Sequence, residues 1–76
     1  MNGYDLIEKI NSLAKCPEKY RSNWKPRAEK LADKVRDIIE RLRKFALLQA
    51  GFVADRCETT AADLEEKLAV AMGRFE

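Results

Sequence analysis

Histidine is absent from this 76-residue chain, cysteine and proline occur twice each, and glycine occurs three times. Each shortage excludes something. Without histidine the commonest general acid–base group is missing, and no cysteine-plus-histidine metal site can be completed. Cys16 and Cys57 do not form a metal-ligand spacing, so both are read as reduced thiols. So few glycines and prolines cannot serve the many turns of an all-β domain, and alternating β-branched runs are lacking. A Gly-rich phosphate loop is missing, as is any nucleophile with a base beside it. Glu65 and Glu66 are neighbours on a predicted helix, so they point apart and make a poor acid/base pair. The chain is therefore not expected to be an enzyme, and neither a cofactor nor a metal is expected.

Long apolar runs are lacking too. The best candidate, "FALLQAGFVA" (45–54), is short and contains Gln49. A membrane-spanning helix needs about 18 or more such residues. The N-terminal "MNGYDLIEKI" has no basic region followed by an apolar one. These features lead to the expectation of a soluble, cytoplasmic protein with no membrane contact.

What the chain does have is the vocabulary of helices. Hydrophobic residues make up 46% and charged residues 37%, with Ala, Leu, Lys, Arg and Glu prominent. The length allows a single helical domain, 1–76, with a small core. Three segments are predicted. Asn2, with Asp5 three residues on, caps a first helix that carries Leu6, Ile7, Ile10, Leu13 and Ala14 on one face. It runs to about Lys15, and Pro17 breaks the pattern. Asn23 then caps a second helix, with Pro26 in its first turn.

That second helix carries the strongest pattern in the chain. Trp24, Ala28, Leu31, Val35, Ile38, Leu42, Phe45, Gln49 and Phe52 follow alternating steps of four and three. Ala32, Ile39, Ala46 and Val53 widen the seam on one side, which suits a bundle. Opposite charges at helical spacing occupy the other face: Asp33 with Arg36, Asp37 with Arg41, and Glu40 with Lys44. Gln49 either fixes register and oligomeric state or marks where the seam becomes exposed.

Thr60 with Asp63 resembles a capping box, so the turn into the third helix is placed near 58–60. Gly51 is then a weak spot within a long helix, and the third helix ends near Gly73. A helix unbroken from 24 to 72 is the alternative. The expected fold is all-α: a three-helix antiparallel bundle whose long central helix, about 24–57, is flanked by two short ones. Two short helices cover the ends of a long one, so Ile38, Ile39 and Leu42 in the middle are expected to stay exposed and bind a partner. Cys16 and Cys57 fall at opposite ends. Cys57, on an apolar stripe, reads as a small hydrophobe, and Cys16 as an incidental loop residue.

Charge is uneven along the chain. Residues 1–50 hold 12 Lys/Arg against 7 Asp/Glu, and residues 51–76 hold 3 against 6. The segment "YRSNWKPRAEK" (20–30) interleaves aromatics with cations. Trp24 is in register with the seam, which explains it structurally; Tyr20, Arg21, Trp24, Lys25 and Arg27 are nonetheless expected to bind a protein, since Trp, Tyr and Arg are the types that most often dominate protein interfaces. The leading expectation is a small helical interaction protein, an inhibitor or adaptor in the size class of phage-type inhibitors. It would bind a protein target larger than itself and self-associate as a homodimer or other homo-oligomer. The alternative is a nucleic-acid binder that uses Lys19, Tyr20, Arg21, Lys25, Arg27 and Lys30 on phosphates and bases.

Overall fold

A computed structural model describes residues 3–75. Helix α1 spans Gly3–Ala14, a single 3-10 turn spans Glu18–Tyr20, α2 spans Arg21–Leu48 and α3 spans Phe52–Gly73. The architecture is all-α, with no strand among the described residues. The chain measures 48 × 19 × 15 Å along its principal axes. Asn2, the expected cap of α1, lies outside the described residues.

The apolar spacing of α1 behaves as expected. Leu6, Ile7, Ile10 and Ala14 are buried, while Tyr4, Asp5, Glu8 and Lys9 are exposed. The helix closes through the Lys15 and Cys16 amides, which donate to the Ser12 and Leu13 carbonyls at 3.2 and 3.4 Å. Pro17, extended at φ −54° and ψ 143°, ends it, and the Tyr20 amide returns to the Pro17 carbonyl at 2.8 Å.

That 3-10 turn changes how α2 begins. The helix starts at Arg21, directly after the turn and with no side-chain cap, rather than behind Asn23. Asn23 is therefore a helical residue, and Pro26 sits inside the helix, not in its first turn. Proline has no amide hydrogen, so the Ser22 carbonyl loses its donor four residues on.

The end of α2 departs further from expectation. The long helix stops at Leu48, not near 57, and the turn lies at Gln49–Gly51 rather than at 58–60. Gln49 is extended at φ −108° and ψ 169°. Gly51 takes φ 61° and ψ −128°, the first-corner conformation of a type II′ turn, which side chains oppose and glycine accepts. The Asp55 amide then donates to the Gly51 carbonyl at 3.1 Å and opens α3. Thr59 and Thr60 stay within α3 instead of capping it. The Thr59 hydroxyl donates back to the Asp55 carbonyl at 2.8 Å, which accommodates the side chain without breaking the helix.

An earlier turn gives a longer third helix, of 22 residues, and this moves the uncovered surface. At 1.5 Å per residue α3 is about 33 Å long, close to the roughly 42 Å of α2. Ile39 is buried, and Ile38 and Leu42 are half-buried against the core, so the expected bare patch at 37–44 is covered.

One core draws on all three helices. α1 gives Leu6, Ile7, Ile10 and Ala14, α2 gives Ala28, Ala32, Val35 and Ile39, and α3 gives Ala61, Leu64, Leu68 and Ala71, with Phe75 beyond it. The buried line of α2 is displaced from the expected seam. Leu31 and Ile38, on the seam, are half-buried, whereas Ala32 and Ile39, expected only to widen it, are buried. The reason is geometric: α2 packs against two helices, so the middle of its apolar face turns to the space between them. Small Ala28 and Ala32 on that line let the neighbours approach closely. Gly3 serves the same end in α1, since a Cβ there would fall 2.9 Å from Leu64 Cδ2.

Candidate functional site

The basic–aromatic segment is divided by the fold. Lys19 and Tyr20 lie on the 3-10 turn, and Tyr20 is exposed with the Lys19 ammonium 5.0 Å from its ring centroid. Trp24 is half-buried against the core, and the Arg27 guanidinium stands 4.9 Å from its ring centroid. Both are cation–π contacts that occupy an aromatic face. Arg21 and Lys25 are half-buried, and the Arg21 Nε is buried without a hydrogen-bond partner.

Arg27 and Lys30 take part in something the sequence reading did not assemble. They line an open groove of about 480 Å³ between α1 and α2, together with Lys34, Lys9, Leu13 and Leu31. Four cations surround two leucines, and no carboxylate lines the groove among the described residues. Lys30 and Lys34 have no ion-pair partner among those residues. Lys19, Tyr20, Arg21 and Lys25 are not part of its lining. A signal was available: Arg27, Lys30 and Lys34 are spaced by three and four around Leu31, which puts them on one helical face. Lys9 and Leu13 repeat the four-residue step on α1. What the one-dimensional pattern could not supply was the pairing of those two faces.

The opposite groove, between α2 and α3, is electrically different. There Arg43 donates to Glu65 at 2.7 Å, and that contact pushes the Arg43 pKa up, chiefly through the hydrogen bond and then through the carboxylate charge. Along α2 the three expected pairs form, Arg36–Asp33 and Arg41–Asp37 at 3.0 Å and Lys44–Glu40 at 3.1 Å. On the α1–α3 side the Tyr4 hydroxyl donates to Asp63 at 2.7 Å, and the Lys67 ammonium lies 5.4 Å from the Tyr4 ring centroid. The Tyr4 pKa is raised, first by that hydrogen bond, then by reduced solvation and the Asp63 charge. Charge on these surfaces is thus partly answered within the chain, and the α1–α2 groove differs in holding Lys30 and Lys34, which have no ion-pair partner among the described residues.

A second surface surrounds the α2–α3 turn. Phe45, Leu47, Leu48, Phe52 and Val53 are all exposed there. Gln49 sits at this turn, exposed, rather than within a buried seam. Ile38, Ile39 and Leu42, named from the sequence for partner binding, belong to the interior or its margin. Cys16 and Cys57 are free and half-buried. Among the described residues no group of Cys, Asp and Glu side chains is placed to hold a metal ion, and no helix is long and apolar enough to cross a membrane.

Comparison with protein-family models, with curated proteins and with solved structures finds no match to this chain.

Proposed function

We propose that this chain is a non-enzymatic interaction protein, an antiparallel three-helix bundle that grips an acidic segment of a larger protein through its α1–α2 groove. The observation that carries the reading is the groove itself: Lys9, Arg27, Lys30 and Lys34 around Leu13 and Leu31, with no lining carboxylate among the described residues. Cations steer and orient an acidic partner, and the leucines give a dry floor where an apolar side chain of that partner is buried. An inhibitor or adaptor acting in the cytoplasm by occupying a surface of its target is the role this suits. The nucleic-acid reading has less support. Stacking platforms need bare aromatic faces, whereas Tyr20 and Trp24 each have one face taken by a cation, and the groove floor is aliphatic.

The test compares the wild-type chain with a Lys30→Glu/Lys34→Glu variant as immobilised bait in a lysate, with mass spectrometry of what is retained. The expected result is an acidic protein held by the wild type, released by salt, and lost on charge reversal. A gel shift on single- and double-stranded probes runs in parallel. Retarded nucleic acid, with affinity falling steeply as salt rises, would replace this proposal with the alternative.

A further inference from the structure

The groove reading leaves the α2–α3 end of the molecule unused. Phe45, Leu47, Leu48, Phe52 and Val53 are 47%, 83%, 81%, 75% and 43% exposed. At roughly 150 Å² per side chain, the low end of the aromatic range and generous for leucine and valine, these fractions give at most about 500 Å² of apolar surface. That is the upper range of what a monomer ordinarily shows, gathered at one turn. We propose that this end seats a second copy of the chain in a twofold, end-to-end contact.

Three observations single out a second copy as the occupant. The first is area. Two such patches pressed together remove up to about 1,000 Å² from water, the size of a weak, concentration-dependent interface. The second is self-complementarity. A twofold contact sets each patch against itself, so it must be attractive to its own copy. A patch of Phe, Leu and Val rimmed by charges of both signs, Asp55 and Arg56 beside Phe52 and Arg43 and Glu58 beside Leu47, satisfies this, whereas the cationic α1–α2 groove would repel its own image. Nearby cations of α2 do not oppose the contact, because Arg41 and Lys44 are paired with Asp37 and Glu40 within their own helix. Gln49, at the same turn, has an amide that both donates and accepts, so it can bond to its own counterpart across a twofold axis.

The third is the course of the helices. Leu64, against which α1 begins among the described residues, continues along α3 toward the turn as Cys57 and Val53 at helical spacing. Ile38 and Leu42 continue along α2 in the same way to Phe45. Past Gly3 these two lines have no described α1 residue beside them. Among the described residues the α2–α3 hairpin has no third helix beside it there, and the same end of a second copy, set against it about the twofold axis, covers those lines.

The experiment is sedimentation equilibrium on the full chain from about 1 to 100 µM, a range that brackets ordinary weak to moderate self-association. The wild type is expected to move from the 8.7 kDa chain mass to twice that value. A Leu48→Lys/Phe52→Lys variant is expected to dimerise at least about 100-fold more weakly, which places it at chain mass throughout the range. Both residues are exposed, so helix content by circular dichroism should be unchanged; should it fall, Leu47→Ser/Val53→Ser gives the same reading with less perturbation. A wild type that stays monomeric at the highest concentration overturns the proposal. So does a dimer that either variant leaves intact, or an assembly larger than two. Lys30→Glu/Lys34→Glu should leave this dimer in place, so the failure of the groove reading and the failure of this one are separable.

Discussion

The two halves of α2 make the same kind of apolar face and meet different fates. Around Ala28–Ile39 that face lies between α1 and α3 and disappears into the core. Around Phe45–Leu48 only Ala46 is buried, and Phe45, Leu47 and Leu48 stay in water. Composition does not separate the halves, since the second is if anything the more apolar. The number of neighbours does. A helix with a wide apolar stripe needs two partners to cover it, and the 12 described residues of α1 lie along only part of the 28-residue α2. Burial is a property of the assembly, and a stretch of sequence carries only half of the information that decides it.

The comparison is broken most directly by truncating one leucine of the enclosed core, on α3, and one at the open end of α2. Leu64→Ala removes a side chain that is 1% exposed and should cost about 2–5 kcal/mol in urea unfolding. Leu48→Ala, the same chemistry at the open end, should stay within about 0.5 kcal/mol of wild type for the monomer. Equal losses at the two sites would mean that the open end is covered in solution. Gly51→Ala addresses the turn that creates that end. At φ 61° an added Cβ meets no neighbour but is strained, so a loss of about 1–3 kcal/mol and a lower melting temperature are expected. A melting temperature equal to wild type would show that the turn tolerates another backbone conformation.

The smallest effect concerns the closed half. Tyr4 donates to Asp63, which raises its pKa above the ordinary value of 10.0. The protonated phenol is therefore favoured in the folded state. Its contribution to stability is complete below the unfolded pKa, near 10, and is lost as pH rises through the higher folded one. Unfolding midpoints of wild type and Tyr4→Phe, measured on either side of that value, should converge at alkaline pH; a constant difference would mean that the contact does not form.

Much of this architecture is legible in the sequence. The three apolar segments, the break at Pro17 and the end of the last helix near Gly73 follow from spacing and breaker residues. So do the three ion pairs along α2, because neighbours three and four apart on a helix must meet. The turn into α3 was misplaced because two local signals competed. Thr60 with Asp63 looks like a cap, but threonine can also bond back to its own helix, as Thr59 does here, and Gly51 alone can take the left-handed corner. That single shift moves the exposed apolar surface from the expected Ile38, Ile39 and Leu42 to Phe45, Leu47, Leu48, Phe52 and Val53. Half of the cationic groove was legible on α2, and its other half lies on α1, joined only by packing.

Arg27 belongs to two structures at once: its guanidinium covers the ring of Trp24, and it also lines the cationic groove. Trp24 is the only tryptophan in the chain. A carboxylate that enters and draws Arg27 toward itself must therefore change the environment of the indole. If the proposed acidic partner binds there, the indole becomes an optical gauge whose emission registers occupancy without a dye, a tag or a second substitution.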